Sequence, residues 1–145
     1  MRHSLQFSIA IIIALAACSS SAAKFSSSDF VGVSCSSKDG GKTCFGYNEN
    51  YADGTSDSCG RVPDGPEFAL KLTYEISGDH WCETVVKSSH PNFMPVGEKF
   101  CSIYLGRTPT GLSYRFTDDP PTKVRYSYSA TRADKWCQPL IDALQ

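Results

Sequence analysis

At 145 residues and a formal net charge of −1, the chain has room for one domain and no overall attraction to nucleic acid. Acids and bases are unevenly spread, ten against four from Asp29 to Glu83 and five against eight from Thr84 onward. Strands from the two halves pairing in one sheet would let these charges complement each other, and no spacing marks a basic face for an anionic partner.

The chain opens with Arg2 and His3, followed by an apolar stretch from Leu5 to Ala17 broken by Gln6 and Ser8. This is too short and wrongly flanked for a membrane span, and it reads as an export signal over residues 1–23. Ser21-Ala22-Ala23 before Lys24 offers small residues for an ordinary signal cut. Leu15-Ala16-Ala17-Cys18 resembles the bacterial lipobox, in which the cysteine becomes the first mature residue and carries diacylglycerol. That resemblance implies lipidation at Cys18 and a membrane as partner. The Ser/Ala-rich stretch 18–29 reads as a tether, with a single β-rich domain over 30–145.

Strand signals follow in chain order. Val31-Gly32-Val33 enters the first strand and Cys44-Phe45-Gly46-Tyr47 forms the second. From Phe68 to Ile76, Phe68, Leu70, Leu72, Tyr74 and Ile76 alternate with small or polar residues, which predicts a strand with one buried face. Further strands are predicted at 81–86, 100–105, 112–116 and 124–128, separated by turn formers such as Ser77-Gly78-Asp79 and Asp118-Asp119-Pro120-Pro121. In the tail, Trp136, Leu140 and Leu144 recur in steps of four, predicting a short helix docked by Trp136 with Pro139 in its first turn. The expected fold class is all-β, an antiparallel small barrel or sandwich of about six to eight strands with a short C-terminal helix.

Setting Cys18 aside, Cys35, Cys44, Cys59, Cys82, Cys101 and Cys137 remain, an even set suited to disulfides in an oxidising compartment. No Cys-x-x-Cys pair suggests zinc, so no metal or cofactor is expected. A two-residue turn at Asp39-Gly40 would place Cys35 opposite Cys44. Cys82 and Cys101 flank the loop Ser88–Gly97 in neighbouring strands, which leaves Cys59 for Cys137.

Catalytic signals are weak. Asp79-His80 sits at a turn, no Gly-x-Ser-x-Gly elbow is present, and Asp118-Asp119 is ordinary turn chemistry. The chain is therefore expected not to be an enzyme. The loop Ser88–Gly97 exceeds what a hairpin needs, and Pro91 and Pro95 restrain it around His90, Phe93 and Met94. Those three residues form the expected binding loop, with Phe93 and Met94 folding back as a lid as the competing expectation.

Tyr51-Ala52-Asp53-Gly54-Thr55, then Leu72 to Asp79, then Pro95-Val96-Gly97-Glu98 and a strand through Ile103, resemble small bacterial lipocalin-like envelope domains over about 90 residues. The resemblance implies a closed or nearly closed antiparallel barrel that holds side chains or one small ligand, without enzyme activity. The expected function is a non-catalytic, lipid-anchored binding or structural domain of the cell envelope. The alternative is a secreted inhibitor or host-directed effector that binds another protein. Expected partners are thus a membrane through the anchor, and a protein or small apolar ligand.

Overall fold

The computed structural model describes residues 25–62 and 64–144. The expected export signal and the expected lipidation at Cys18 fall outside these residues. The described chain forms α1 (Ser27–Phe30), β1 (Gly32–Ser37), β2 (Cys44–Asn50), β3 (Thr55–Arg61), β4 (Glu67–Ser77), β5 (His80–Ser88), β6 (Lys99–Thr108), β7 (Gly111–Phe116), β8 (Arg125–Ser129) and α2 (Gln138–Asp142), with a 3₁₀ turn at Arg132–Asp134. Each strand pairs antiparallel with the next, and β8 returns to β1 through Cys35 opposite Tyr128 and Ser34 opposite Ser129, closing an eight-stranded barrel. Closure removes the exposed sheet edges that an open sheet would present for pairing with other chains.

The alternation in β4 places Leu70 and Leu72 fully inside, with Phe68, Tyr74 and Ile76 half-buried on the same face. β3 is not among the strands expected from the sequence. Its residues, Thr-Ser-Asp-Ser-Cys-Gly-Arg, carry no apolar alternation, yet Ser56 through Gly60 are buried. One face of β3 lines the barrel interior with Ser58, and the other carries Cys59 under the tail. Gly60 also has a steric role. A Cβ there would lie 2.7 Å from both the Gly46 Cα and the Phe45 carbonyl, so the β2–β3 approach requires its absence.

The molecule has apolar packing on both sides of the barrel wall. Outside, Cys35, Tyr47, Cys59 and Ala69 form one row across β1–β4, covered by Cys137 and Ile141 from the tail. The tail therefore docks through Cys137 and Ile141. Trp136, expected as the anchor, is 42% exposed; its indole N–H donates to the Cys44 carbonyl at 3.3 Å and Arg61 lies over its ring. Pro139 does sit in the first turn of α2, where its missing N–H costs nothing. Glu49 adds a buried polar clamp, accepting from Lys135 Nζ at 2.9 Å and Arg132 Nε at 2.9 Å. Burial pushes its carboxyl upward, but the two cations outweigh that and hold it below the usual range.

Three disulfides staple the barrel: Cys35–Cys44, Cys59–Cys137 and Cys82–Cys101. Cys82 and Cys101 are direct cross-strand partners, with Cα atoms 4.0 Å apart. The route to the first pair differs from the expectation. No two-residue turn forms at Asp39-Gly40; the connection runs over 38–43, Cys35 opposes Tyr47, and Cys44 opposes Ser37. A register shift between Ser36 and Ser37 brings Cys35 and Cys44 together diagonally. Asp39 Oδ1 accepts from the Ser37 hydroxyl at 2.6 Å and the Thr43 N–H at 2.8 Å, which organises the wider turn.

Charges from the two halves of the chain do meet, as Lys99 with Glu75, Arg107 with Asp29, and Arg132 and Lys135 with Glu49.

Candidate functional site

The barrel encloses a cavity of about 370 Å³. The inward faces of β1, β2, β3 and β8 supply Ser34, Ser36, Asn48, Asn50, Ser58, Ser127 and Ser129, a hydroxyl- and amide-rich wall. The inward faces of β4 to β7 supply Leu70, Leu72, Trp81, Phe100, Tyr104, Tyr114 and Phe116, an apolar and aromatic wall. The interior is thus amphipathic from side to side. A cavity with mostly apolar walls and a few converging polar groups is the usual form of a small-molecule site.

Two segments cap it. At one end Phe25 and Phe30 pack on Trp81, with Tyr74, Ile76, Tyr104, Leu112 and Tyr114 around them. Phe25 stacks on Tyr104 at 4.6 Å between centroids, and Phe30 meets Tyr74 edge-on at 4.8 Å. Asn50 holds this segment by donating to the Phe30 carbonyl at 3.0 Å, and Ser56 in turn donates to Asn50 at 2.6 Å. Asp29 pairs with Arg107 at the rim; its carboxyl is held below the usual range first by the Ser26 backbone N–H and then by Arg107. The Ser-rich stretch read as a tether over 18–29 therefore includes packed structure from Phe25 onward. Phe25 within it and Phe30 just after it both reach the barrel mouth.

At the other end Met94 packs with Phe68, Phe100, Leu70, Leu72 and Val85 and lines the cavity. The expected binding loop is thus divided. Met94 faces inward as part of a lid, whereas Phe93 is 52% exposed and His90 is exposed. The loop is braced by Phe93 and Met94 N–H groups that both donate to the His90 carbonyl at 2.9 Å.

Between the two apolar caps lies Glu83. It follows Trp81 and precedes Val85 on the inward face of β5, opposite Tyr74 on β4 and Phe100 on β6. Its residue exposure is 7%, and its Oε1 has no hydrogen-bond partner. Burial raises its carboxyl to about 7, opposed only in part by the Trp81 indole. Glu83 belongs to no sequence motif. The available signal is its parity: Trp81, Glu83 and Val85 share one face of a strand, so a charge is placed among core residues.

Asp119 gathers the cations on β8 and the turn before it. Arg125 donates to Asp119 at 2.7 and 3.2 Å, and Asp119, also contacted by Lys123, is held far below the usual range. His80 bonds its own neighbour Asp79 at the exposed β4–β5 turn, away from the cavity. Among the described residues no group of three or more His, Cys, Asp or Glu is placed to hold a metal ion. Glu67 and Glu75 point outward and pair with Arg61 and Lys99.

No protein-family model, curated protein or solved structure compared with this chain matches it.

Proposed function

We propose that this protein is a non-catalytic binding domain that holds one small, partly apolar molecule inside its barrel. The observation that carries the reading is the amphipathic cavity of about 370 Å³ inside the barrel, with side chains from outside the strands packed at both ends. A barrel built only for stability would fill its interior with side chains, as the tail fills the groove outside β1–β4. The cavity instead presents hydroxyls on one wall and rings on the other, which suits a ligand with two chemically distinct sides. Three disulfides fit work in an oxidising compartment. With the export signal and the Cys18 lipobox, they support a cell-envelope carrier of the lipocalin-like kind, tethered at the membrane.

The test is titration with N-phenyl-1-naphthylamine, a neutral apolar fluorophore. Saturable one-to-one enhancement is expected, with loss of binding in Ser58→Trp, which fills the cavity from its polar wall. Circular dichroism confirms that the variant folds. No saturable binding to the wild-type barrel would remove this reading.

A second reading is favoured by one observation. Phe93 and Val96 stand exposed on the proline-restrained loop, and a restrained apolar loop loses little entropy on docking to another protein. Under that reading the protein is a secreted inhibitor or effector, and Phe93→Ser abolishes partner binding while leaving fluorophore binding intact.

A further inference from the structure

We propose that the ligand is an organic ammonium ion with a flat apolar body, its head on the Glu83 carboxylate and its body among Trp81, Phe100, Tyr104 and Tyr114. The inference rests on the cavity-binding reading and names the class of ligand.

Charge balance carries the argument. Among the described lining residues the acidic and basic side chains are Asp29, Arg107 and Glu83. Asp29 and Arg107 pair with each other at the rim. Arg125, on the neighbouring β8, is committed to Asp119. Glu83 is left as the cavity's acid without an ion-pair partner, and its Oε1 accepts no hydrogen bond. Buried polar groups are ordinarily paired, and a buried charge without a partner is costly. The protein leaves this one lining the barrel cavity, so a cationic ligand supplies the missing partner. An anion would be repelled there, and a purely apolar molecule would leave the carboxyl unpaired.

The surrounding chemistry agrees. Trp81 lies 5.3 Å from Tyr114 between ring centroids, and Phe30 lies 5.2 Å from Trp81, so the carboxylate shares the interior with a cluster of aromatic rings. Ring faces attract cations, more strongly when water is excluded. The serines and Asn48 across the cavity offer acceptors for the ammonium hydrogens that Glu83 does not take. When the carboxyl starts protonated, an incoming ammonium displaces that proton to solvent.

The experiment is isothermal titration calorimetry at pH 8 on the mature protein, comparing 2-phenylethylammonium with 2-phenylethanol. These probes share a ring and a two-carbon arm and differ in the cationic head. The wild-type protein is expected to bind the ammonium at least tenfold more tightly than the alcohol. Glu83→Gln, close in size, is expected to reduce that preference below twofold. Equal affinity of the wild type for both probes overturns the ammonium assignment, and this comparison needs no variant. A preference that persists in a folded Glu83→Gln protein also overturns it. If the neutral fluorophore binds and the ammonium is not preferred, the cavity reading stands and the ligand class falls. If neither the fluorophore nor either probe binds, both fall together.

Discussion

Replacing Glu83 by Gln should stabilise the empty barrel at alkaline pH relative to acid pH, by an amount set by where the carboxyl is held. In the folded protein burial raises it from 4.5 to about 7. Below 4.5 the group is protonated whether the chain is folded or not, and its ionisation costs nothing. As pH climbs from 4.5 to about 7 the unfolded chain ionises freely while the folded one resists, so wild-type stability falls through this window and then levels. At about 1.4 kcal/mol per pH unit, the span amounts to about 3 kcal/mol. Gln lacks this titration. Its amide carries its own desolvation cost of about 1 to 3 kcal/mol, but that cost does not vary with pH. The quantity to measure is therefore the stability of the variant minus that of the wild type, by urea unfolding at pH 4 and at pH 8. The difference should rise by about 3 kcal/mol between them. Tyr74 stands opposite Glu83 on β4, and the other titratable side chains of the cavity, Asp29, Tyr104, Arg107 and Tyr114, are present in both proteins, so their own titrations largely cancel. Ligand must first be stripped by refolding, because anything bound to the native state adds stability by mass action. A difference that changes by less than about 1 kcal/mol would refute the placement of Glu83 as a buried, unpaired carboxyl.

Other consequences follow from the same architecture. Cys59 and Cys137 are 78 residues apart, so replacing both with Ser should cost about 4 to 5 kcal/mol by loop entropy, against about 3 for Cys82–Cys101, in denaturant melts under non-reducing conditions. Met94→Ala should open the lid and speed release of N-phenyl-1-naphthylamine several-fold in stopped-flow displacement, whereas Phe93→Ala should leave the rate unchanged. Cys18→Ala should shift the protein from the membrane fraction to the soluble fraction on cell fractionation; equal distribution of both forms would exclude the anchor.

Period-two alternation in Phe68 to Ile76, the even cysteine count and the turn residues between strands were enough to read an all-β disulfide-bonded fold from the sequence. These signals are local: each depends on residues within one strand or one turn. Even the Cys82–Cys101 pair was legible, because both cysteines border the same loop in adjacent strands. What local pattern cannot decide is which face of a strand ends up inside. In β3 both faces are buried, one by a polar cavity wall and one by the tail, so hydrophobic alternation never appears. Cys35, Tyr47, Cys59 and Ala69 look like interior residues but lie outside the barrel, covered by a tail nearly eighty residues beyond Cys59 in the chain. Phe25 was hidden in the Ser-rich stretch 18–29, whose composition forms no core of its own, and it is buried with Phe30 because the closed barrel offers an aromatic mouth. Glu83 shares its strand face with Trp81 and Val85, which is visible in sequence. That the face turns inward, between two capped ends and beyond reach of the described cations, was decided by closure of β8 onto β1 and by the pairing of Arg107 and Arg125 elsewhere.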